Sequence, residues 1–245
     1  MTGERPWPAP AEPWVMAQTW HDLLFLHWPL APGTLAPLVP RGLTLDTFGD
    51  RAWLGVVPFH MSGIHLRRWP ACPGTSAFPE MNVRTYVTHG GKPGVWFLSL
   101  DAGSRLAVAV ARRWFHLPYY HSRMRVATTA AGVTYVSRRG DRRGPPASLV
   151  ASYRPTGGVF RAAAGSLEAW LTARYCLYAQ DRRGRLYRGE IDHAPWPLQP
   201  ADADVTENST TVAVGVRLPP EPPLSHFARR LEVRVWPPRR VAAPV

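Results

Sequence analysis

Residues 81–100 read MNVRTYVTHGGKPGVWFLSL, and this stretch decides the fold. Positions 81–88 alternate, so Val83, Thr85 and Val87 fall on one face of an extended chain while the even-numbered residues fall on the other. The glycine-rich turn 89–94 separates them from the apolar run Val95–Leu100. Two strand-like runs joined by such a turn predict a β-hairpin, with one apolar and one polar face on its first strand.

The same reading extends outward over the rest of the chain. The apolar run Trp20–Trp28 predicts a first strand, and Gly49-Asp50 between Leu43–Asp46 and Ala52–Phe59 predicts a second hairpin. Apolar residues at helical spacing predict a single turn over Pro32–Leu38 and helices over Ser104–Trp114 and Ser166–Tyr175. The remaining predicted strands are Tyr119–Ala127, Val133–Ser137, Leu149–Tyr153, Cys176–Ala179, Arg185–Ile191, Thr211–Arg217 and Glu232–Trp236.

The composition agrees with this mainly β reading. Hydrophobic residues make up 45% of the 245 residues, and 11 tryptophans stand beside 27 prolines, which is typical of many short strands joined by tight turns. We therefore expect a β-rich α+β domain with two or three short helices. Residues 18–245 are predicted to form one domain, and residues 1–17, rich in proline, a flexible arm.

The net charge of +12 raises the question of an anionic partner. Lys92 is the only lysine among 29 basic residues, and the arginines occur as scattered pairs such as Arg138-Arg139 and Arg182-Arg183, often beside glycine or proline. A solvated surface is the favoured interpretation, and nucleic-acid binding stays open without being favoured.

Several classes of protein lack support in the sequence. No apolar run is long enough to span a membrane, residues 1–13 lack the pattern of a signal peptide, and Cys72 and Cys176 are far apart, so we expect reduced, buried thiols in a cytoplasmic protein. The nine histidines show no metal-ligand spacing, and no nucleotide-binding or serine-hydrolase motif is present. We therefore predict neither a metal nor a cofactor, and a homo-oligomer stays open.

Seven segments in order resemble one known family, domain of unknown function 2071, also called the YqjF-like family. The resemblance extends from Gln18 to Trp236. Its segments are WHDLLFLHW (20–28), LDTFGDRAWLGVVPF (45–59), FPEMNVRTYV (78–87), GVWFLSLDA (94–102), ARRWFHLPYYHSRM (111–124), GSLEAWLTARYCLY (165–178) and HAPWPLQPA (193–201).

That family looks related to the acetoacetate decarboxylase-like superfamily, which implies a closed or barrel-like, mostly antiparallel sheet around an internal cavity. Decarboxylases of the superfamily carry two lysines after a proline, whereas here Pro118 is followed by Tyr119 and Tyr120. A phenol cannot form an imine, and Lys92 lies in the glycine-rich turn, where we expect solvent. The resemblance therefore implies a related cavity without Schiff-base chemistry.

Candidate site residues follow from strand geometry. Glu80, Asn82, Arg84 and Tyr86 share the even face of the predicted strand, which faces either solvent or, as the resemblance favours, the cavity. There Arg84 could hold a carboxylate through two hydrogen bonds, with Asn82 beside it in the substrate-binding set.

The segment after the first long helix supplies further candidates. Tyr119 and Tyr120 alternate faces, so we expect one of them to point inward, and Tyr120 with His116 or His121 could form a phenol–imidazole pair suited to proton transfer. The predicted catalytic residues are Tyr120, Glu80 and His116. The predicted substrate-binding residues are Arg84, Asn82, Tyr119, His121, His193 and Trp196, the last two from a proline-rich segment that forms either a pocket mouth with an exposed tryptophan or the cover of a sheet edge.

Three functions stay open at this point. The favoured one is a pocket for an anionic or carbonyl compound, and any catalysis in it would be lyase-like or proton-transfer chemistry. The second is a nucleic-acid or anionic-surface binder, whose affinity would fall steeply with salt. The third is a non-catalytic scaffold on a degenerate enzyme fold.

Overall fold

The computed structural model of the protein describes residues 5–71 and 76–241. Thirteen strands and three short helices form one connected sheet structure in this part of the chain. The strands are β1 (Met16–Leu30), β2 (Thr44–Leu45), β3 (Ala52–Leu66), β4 (Phe78–His89), β5 (Lys92–Ala102), β6 (Tyr119–Thr129), β7 (Gly132–Arg139), β8 (Ser148–Pro155), β9 (Cys176–Gln180), β10 (Leu186–His193), β11 (Leu198–Asn208), β12 (Leu224–Val235) and β13 (Arg239–Arg240). The helices are α1 (Pro32–Leu35), which continues as a 3-10 turn over Ala36–Leu38, α2 (Arg105–Trp114) and α3 (Leu167–Thr172).

The sheet closes on itself because it branches at two strands. Along one edge of β5, residues Val95–Trp96 pair with β9 and residues Leu100–Ala102 pair with β6, both in parallel. At the other branch, β12 pairs with β11 near Phe227 and with β10 near Val235. Strands β12, β1, β3, β4 and β5 therefore form a wall that is shared by two closed circuits, one through β6, β7, β8 and β11, the other through β9 and β10. The mainly β, ring-closed fold predicted from the sequence is confirmed.

Both faces of the shared wall are buried, which explains the unbroken apolar run of the first strand. Leu24 and Leu26 of β1 pack with Val83 of β4 and Tyr135 of β7 in one core. Phe25 packs in a second core on the opposite face. The wall thus separates two interiors, and the buried residues of β4 face one or the other.

Some predicted elements are wrong in detail. Thr44–Leu45 pairs with β4 and not with β3, because the Gly49-Asp50 turn supports only an isolated bridge between Phe48 and Arg51. The predicted strand Thr211–Arg217 is a 3-10 turn over Val212–Val214, which ends at Gly215 with a positive φ of 83°. Strand β11 was not predicted.

The helix predictions are confirmed with small changes of length. Ser104 caps α2, since its side chain accepts a hydrogen bond from the Ala107 amide at 3.3 Å. Ser166 caps α3 in the same way through the Ala169 amide, but α3 ends at Thr172, three residues before the predicted end.

The N-terminal segment makes contacts from its first described residue. Arg5 forms an ion pair with Glu190 of β10, and the Trp7 indole donates to the same carboxylate at 2.8 Å. The Trp236 indole donates to the Glu12 carbonyl at 2.6 Å. Residues 5–15 therefore lie against β10 and the end of β12, while the predicted domain boundary at residue 18 stays a prediction.

Of the two cysteines, only Cys176 lies within the described residues. Cys176 is buried with a free thiol, and burial raises its pKa to about 11. Cys72 lies outside the described residues.

Within the described ranges, the structure contains no helix long and apolar enough to cross a membrane.

Candidate functional site

The even face of β4 points into the interior that is closed by β9, β10 and α3. Glu80 and Asn82 are each only 4% exposed, and Tyr86 is fully buried. Arg84 extends between Phe25 and Tyr86, with its guanidinium carbon 5.5 Å and 5.6 Å from the two ring centroids. We call Glu80, Asn82, Arg84 and Tyr86 the inner row. It faces an interior of the protein and not solvent.

Glu80 has the most altered acidity in the inner row. Burial raises its pKa to about 8, and a hydrogen bond from the Tyr119 hydroxyl, 2.7 Å from Oε2, partly opposes this rise. The pKa of Tyr119 is raised well above its usual value by burial and by the adjacent Glu80. At neutral pH Glu80 is therefore mostly a neutral carboxylic acid, which can donate a proton or a hydrogen bond.

Polar atoms along the inner row lack partners among the described residues. The Oδ1 atom of Asn82 and the Nε atom of Arg84 are buried and form no hydrogen bond there. Each such group costs about 1–3 kcal/mol unless something satisfies it. An amide oxygen and a guanidinium nitrogen are complementary to a ligand that both donates and accepts hydrogen bonds.

His27 and Arg174 meet the inner row at Tyr86. The His27 Nε2 atom lies 2.6 Å from the Tyr86 hydroxyl, and burial holds the pKa of this imidazole well below its usual range, so His27 is neutral. Arg174 stacks on the Tyr86 ring at 4.9 Å and pairs through Nη1 with Asp46 at 2.6 Å. The His27 Nδ1 and Arg174 Nη2 atoms are also buried without a partner in the described structure.

Gly55 permits this crowding. A Cβ atom at Gly55 would lie 3.2 Å from two atoms of the His27 ring and 3.3 Å from Cγ of Arg84. Gly55 pairs with Arg84 across β3 and β4, and with His27 across β1 and β3. The missing side chain therefore lets an imidazole and a guanidinium group approach from the two neighbouring strands.

Tyr120 and His116 lie elsewhere, in an open cleft of about 1120 Å³. The cleft opens where β9 and β6 diverge along β5, and Trp96, Phe97 and Ser99 line it. Its other lining side chains include seven arginines: Arg112, Arg113, Arg139, Arg143, Arg182, Arg183 and Arg185. We call this region the arginine cleft.

The structure therefore separates residues that the sequence analysis grouped together. Tyr119 faces Glu80, whereas Tyr120 stacks on Arg139, whose guanidinium carbon is 4.2 Å from the ring centroid. The ring of His116 packs on Tyr187 at 4.8 Å, and the His121 amide donates to Asp141 at 3.0 Å. No phenol–imidazole hydrogen bond between Tyr120 and either histidine is found in the described structure.

The proline-rich segment that contains His193 and Trp196 contributes buried side chains and does not form the mouth of a pocket. Trp196 is 7% exposed and donates its indole N–H to the Thr172 carbonyl at 2.9 Å, so the expectation of an exposed tryptophan is wrong. His193 stacks on Tyr175 at 4.7 Å, and burial lowers its pKa. Trp196 in turn contacts the Phe25 ring edge to face at 4.9 Å, and Arg84 of the inner row lies over the same Phe25 ring.

The sequence analysis placed Lys92 in open solvent, but its side chain is half-buried. Lys92 is the first residue of β5, and its Nζ atom lies 3.6 Å from Glu190 Oε1 and 5.1 Å from the Trp7 ring centroid. Its amine therefore belongs to the contacts between the N-terminal segment and β10.

The described residues form no cluster of metal-ligating side chains. In residues 5–71 and 76–241, no three histidine, cysteine, aspartate or glutamate side chains come together in a way that could hold a metal ion.

Comparison with known structures places the fold in a class. Acetoacetate decarboxylase from Legionella pneumophila is similar with a TM-score of 0.65 and 12% identity, over 98% of this chain and 94% of that one. The enduracididine biosynthesis enzyme MppR, complexed with pyruvate, is similar with a TM-score of 0.64 and 12% identity, over 95% and 93% of the two chains. At such identities the likeness establishes an acetoacetate decarboxylase-like fold.

Sequence comparison gives the family. Residues 17–232 match the model of DUF2071, described as an uncharacterized conserved protein, and the chain belongs to this family. It is 45% identical over 227 residues to the uncharacterized protein YqjF of Bacillus subtilis (strain 168), with 93% of each chain covered. The resemblance stated from the sequence segments is therefore confirmed.

Proposed function

We propose that the inner row binds a small carboxylate-bearing carbonyl compound, with Arg84 and Arg174 at its carboxylate and Glu80 as the proton-donating group. The observation that carries the proposal is the set of buried, unpartnered polar atoms on Asn82, Arg84 and Arg174, in the interior that also holds a neutral Glu80.

The positive charges of Arg84 and Arg174 support a ligand that carries a carboxylate. Burial lowers the pKa of Arg174, yet its Asp46 partner and the general strength of guanidinium as a base keep it charged. Arg84 and Arg174 flank the same tyrosine ring, and Asp46 occupies one nitrogen of Arg174. A ligand carboxylate between the two guanidinium groups would supply the missing acceptors and balance the second positive charge.

The neutral carboxyl group of Glu80 supports a ligand that carries a carbonyl group. Glu80 lies four residues before Arg84 on the same strand face, about 13–14 Å away at the backbone, with Asn82 between them. A protonated carboxyl group can donate to a carbonyl oxygen and stabilise the charge that develops there during enolisation. The similar structures include one bound to pyruvate, a compound of this chemistry.

Schiff-base chemistry is not part of the proposal. Tyr119 occupies the position that faces Glu80, and its hydroxyl already donates to that carboxyl group. The single lysine is engaged with Glu190. Treatment with pyruvate and borohydride should therefore leave the mass of the protein unchanged, and a covalent adduct on Lys92 would contradict this part of the proposal.

Binding is tested by calorimetric titration with pyruvate, and with acetoacetate and larger keto acids as further probes. The wild type should bind at least one of them, and Arg84→Gln should weaken that binding at least tenfold, because one charge-assisted contact is lost. Arg123→Gln removes an equal charge from an exposed position of β6 and should bind as the wild type does. Equal affinity of the wild type and Arg84→Gln, or no binding by a folded wild type, would sink the proposal.

A further inference from the structure

We propose that the arginine cleft is a second binding site, for a small phosphate-bearing ligand with at least two negative charges. The inner row is not involved, so this inference stands independently of the proposed function.

The position of the cleft follows from the branching of the sheet. β5 pairs with β9 up to Trp96 and with β6 from Leu100 onward, which leaves Phe97–Ser99 along the cleft between the two diverging strands. The volume of about 1120 Å³ is slightly above the usual range of small-molecule sites, about 300–1,000 Å³.

The charges of the cleft are unbalanced. Arg139, Arg143 and Arg185 each pair with one carboxylate, on Asp101, Asp141 and Asp181 respectively. The guanidinium groups of the other four arginines form no ion pair with a carboxylate among the described residues: Arg112, Arg113, Arg182 and Arg183. A phosphate or diphosphate group suits such a set, because guanidinium groups bind phosphate oxygens through paired hydrogen bonds.

Two arginines in the wall of the cleft are held in place by other residues. Arg139 is fixed by two hydrogen bonds to Asp101, Nε to Oδ1 at 2.7 Å and Nη2 to Oδ2 at 2.5 Å. Tyr120 covers Arg139, and its ring fits only because residue 144 is glycine: a Cβ atom there would lie 2.6 Å from the ring. Arg112 donates to the Tyr119 carbonyl at 2.7 Å and so is also held in place. A preorganised wall lowers the entropy cost of binding.

Neighbouring residues of β6 point towards the two different sites. Tyr119 and Tyr120 alternate along β6, so Tyr119 reaches the Glu80 interior and Tyr120 reaches the cleft. The inner row and the lining of the arginine cleft have no side chain in common.

A small ligand is favoured over nucleic acid by the concave shape of the site. Outside the cleft, some exposed arginines pair with carboxylates, as Arg138 does with Glu207, while others such as Arg123 and Arg125 lie on β6 away from the cleft lining. A duplex would need a broad face of free positive charge. The unbalanced arginines described above instead converge on one concavity.

The test is calorimetric titration with inorganic pyrophosphate at about 0.15 M salt, where long-range attraction is screened. Arg182→Gln/Arg183→Gln changes two exposed side chains of the turn between β9 and β10 and should weaken binding at least tenfold. The matched control Arg123→Gln/Arg125→Gln removes the same charge from exposed positions of β6 outside the cleft lining and should stay within about twofold of the wild type.

Two further outcomes decide the matter. Gly144→Ala should also weaken pyrophosphate binding, because the added methyl group displaces the Tyr120 ring while all charges remain. Equal losses in both double variants would show a diffuse field and overturn the site. Binding of a short DNA duplex with no binding of pyrophosphate would overturn it as well, in favour of nucleic-acid recognition.

Discussion

Protonation of Glu80 makes the free energy of unfolding depend on pH. The pKa of Glu80 is 4.5 in an unfolded chain and about 8 in the folded protein, because burial favours the neutral acid. Between these values the folded state holds a proton that the unfolded state has released, so the free energy of unfolding falls as pH rises through this interval. Below pH 4.5 the contribution is fully present, and above pH 8 it is lost.

Glu80→Gln should remove this dependence. The difference in unfolding free energy between wild type and variant should shift in favour of the variant by on the order of 5 kcal/mol between pH 4 and pH 9, from the size of the pKa change. Urea unfolding at several pH values measures it. The exposed Glu232→Gln should parallel the wild type, and parallel curves for Glu80→Gln would mean that Glu80 ionises normally.

Residue-level geometry also sets what the sequence could reveal of the site. Alternation along residues 80–86 predicted the inner row, because the period of a strand is two whatever its neighbours are. His27 and Arg174 were not predicted as site residues, since they reach Tyr86 from elements 59 and 88 positions away in the chain. Strand period does not encode such contacts. Trp196 was placed wrongly because flanking prolines indicate a loop but do not tell which side chains are buried.

At the level of elements, the parallel contact between β5 and β9 depends on Gly94. A Cβ atom there would lie 2.7 Å from Cys176 Sγ and 2.8 Å from the Cys176 carbonyl oxygen. Backbone atoms of a central strand cannot move aside at small cost. Gly94 therefore sets how closely β9 can approach β5.

Gly94→Ala should destabilise the protein by about 1–3 kcal/mol, the usual cost of overpacking, measured by urea unfolding. Gly140→Ala is the matched control, because a Cβ atom at Gly140 meets nothing within 4 Å. If Gly94→Ala unfolds at the same urea concentration as Gly140→Ala, the close packing of β9 on β5 is incorrect.

Two errors of the element prediction have physical causes. Residues 211–217 alternate like a strand, but Gly215 adopts a left-handed conformation and the Gly215 amide closes a turn on the Val212 carbonyl at 2.9 Å. β11 reads LQPADADVTEN, and its proline, alanine and aspartate residues are poor strand formers. Pairing with β8 over seven residue pairs supplies what local preference lacks. A local turn at Gly215 therefore decided residues 211–217, whereas tertiary pairing, which the local pattern does not contain, decided β11.

At the level of the whole molecule, β12 completes both circuits of the sheet. It pairs with β1 over eleven residue pairs and also with β10 and β11. Without it, the shared wall would lose an edge and both interiors would open.

A chain that ends at Pro219 should therefore lose cooperative thermal unfolding, while a chain that ends at Trp236 should keep it. Circular dichroism melting curves compare the two. The longer chain is a suitable control because it lacks only the two-residue strand β13 and the residues around it. A cooperative transition in the shorter chain would show that one interior forms without β12.

The pairing of β1 with β12 also bears on how the protein is made. Strand β1 is synthesised about 200 residues before its partner β12, and at about 5–20 residues per second this interval takes roughly 10–40 seconds. During that time Leu23–Leu26, which end up fully covered on both faces, have no native partner on the β12 side. This apolar segment is therefore exposed to aggregation until β12 has been synthesised.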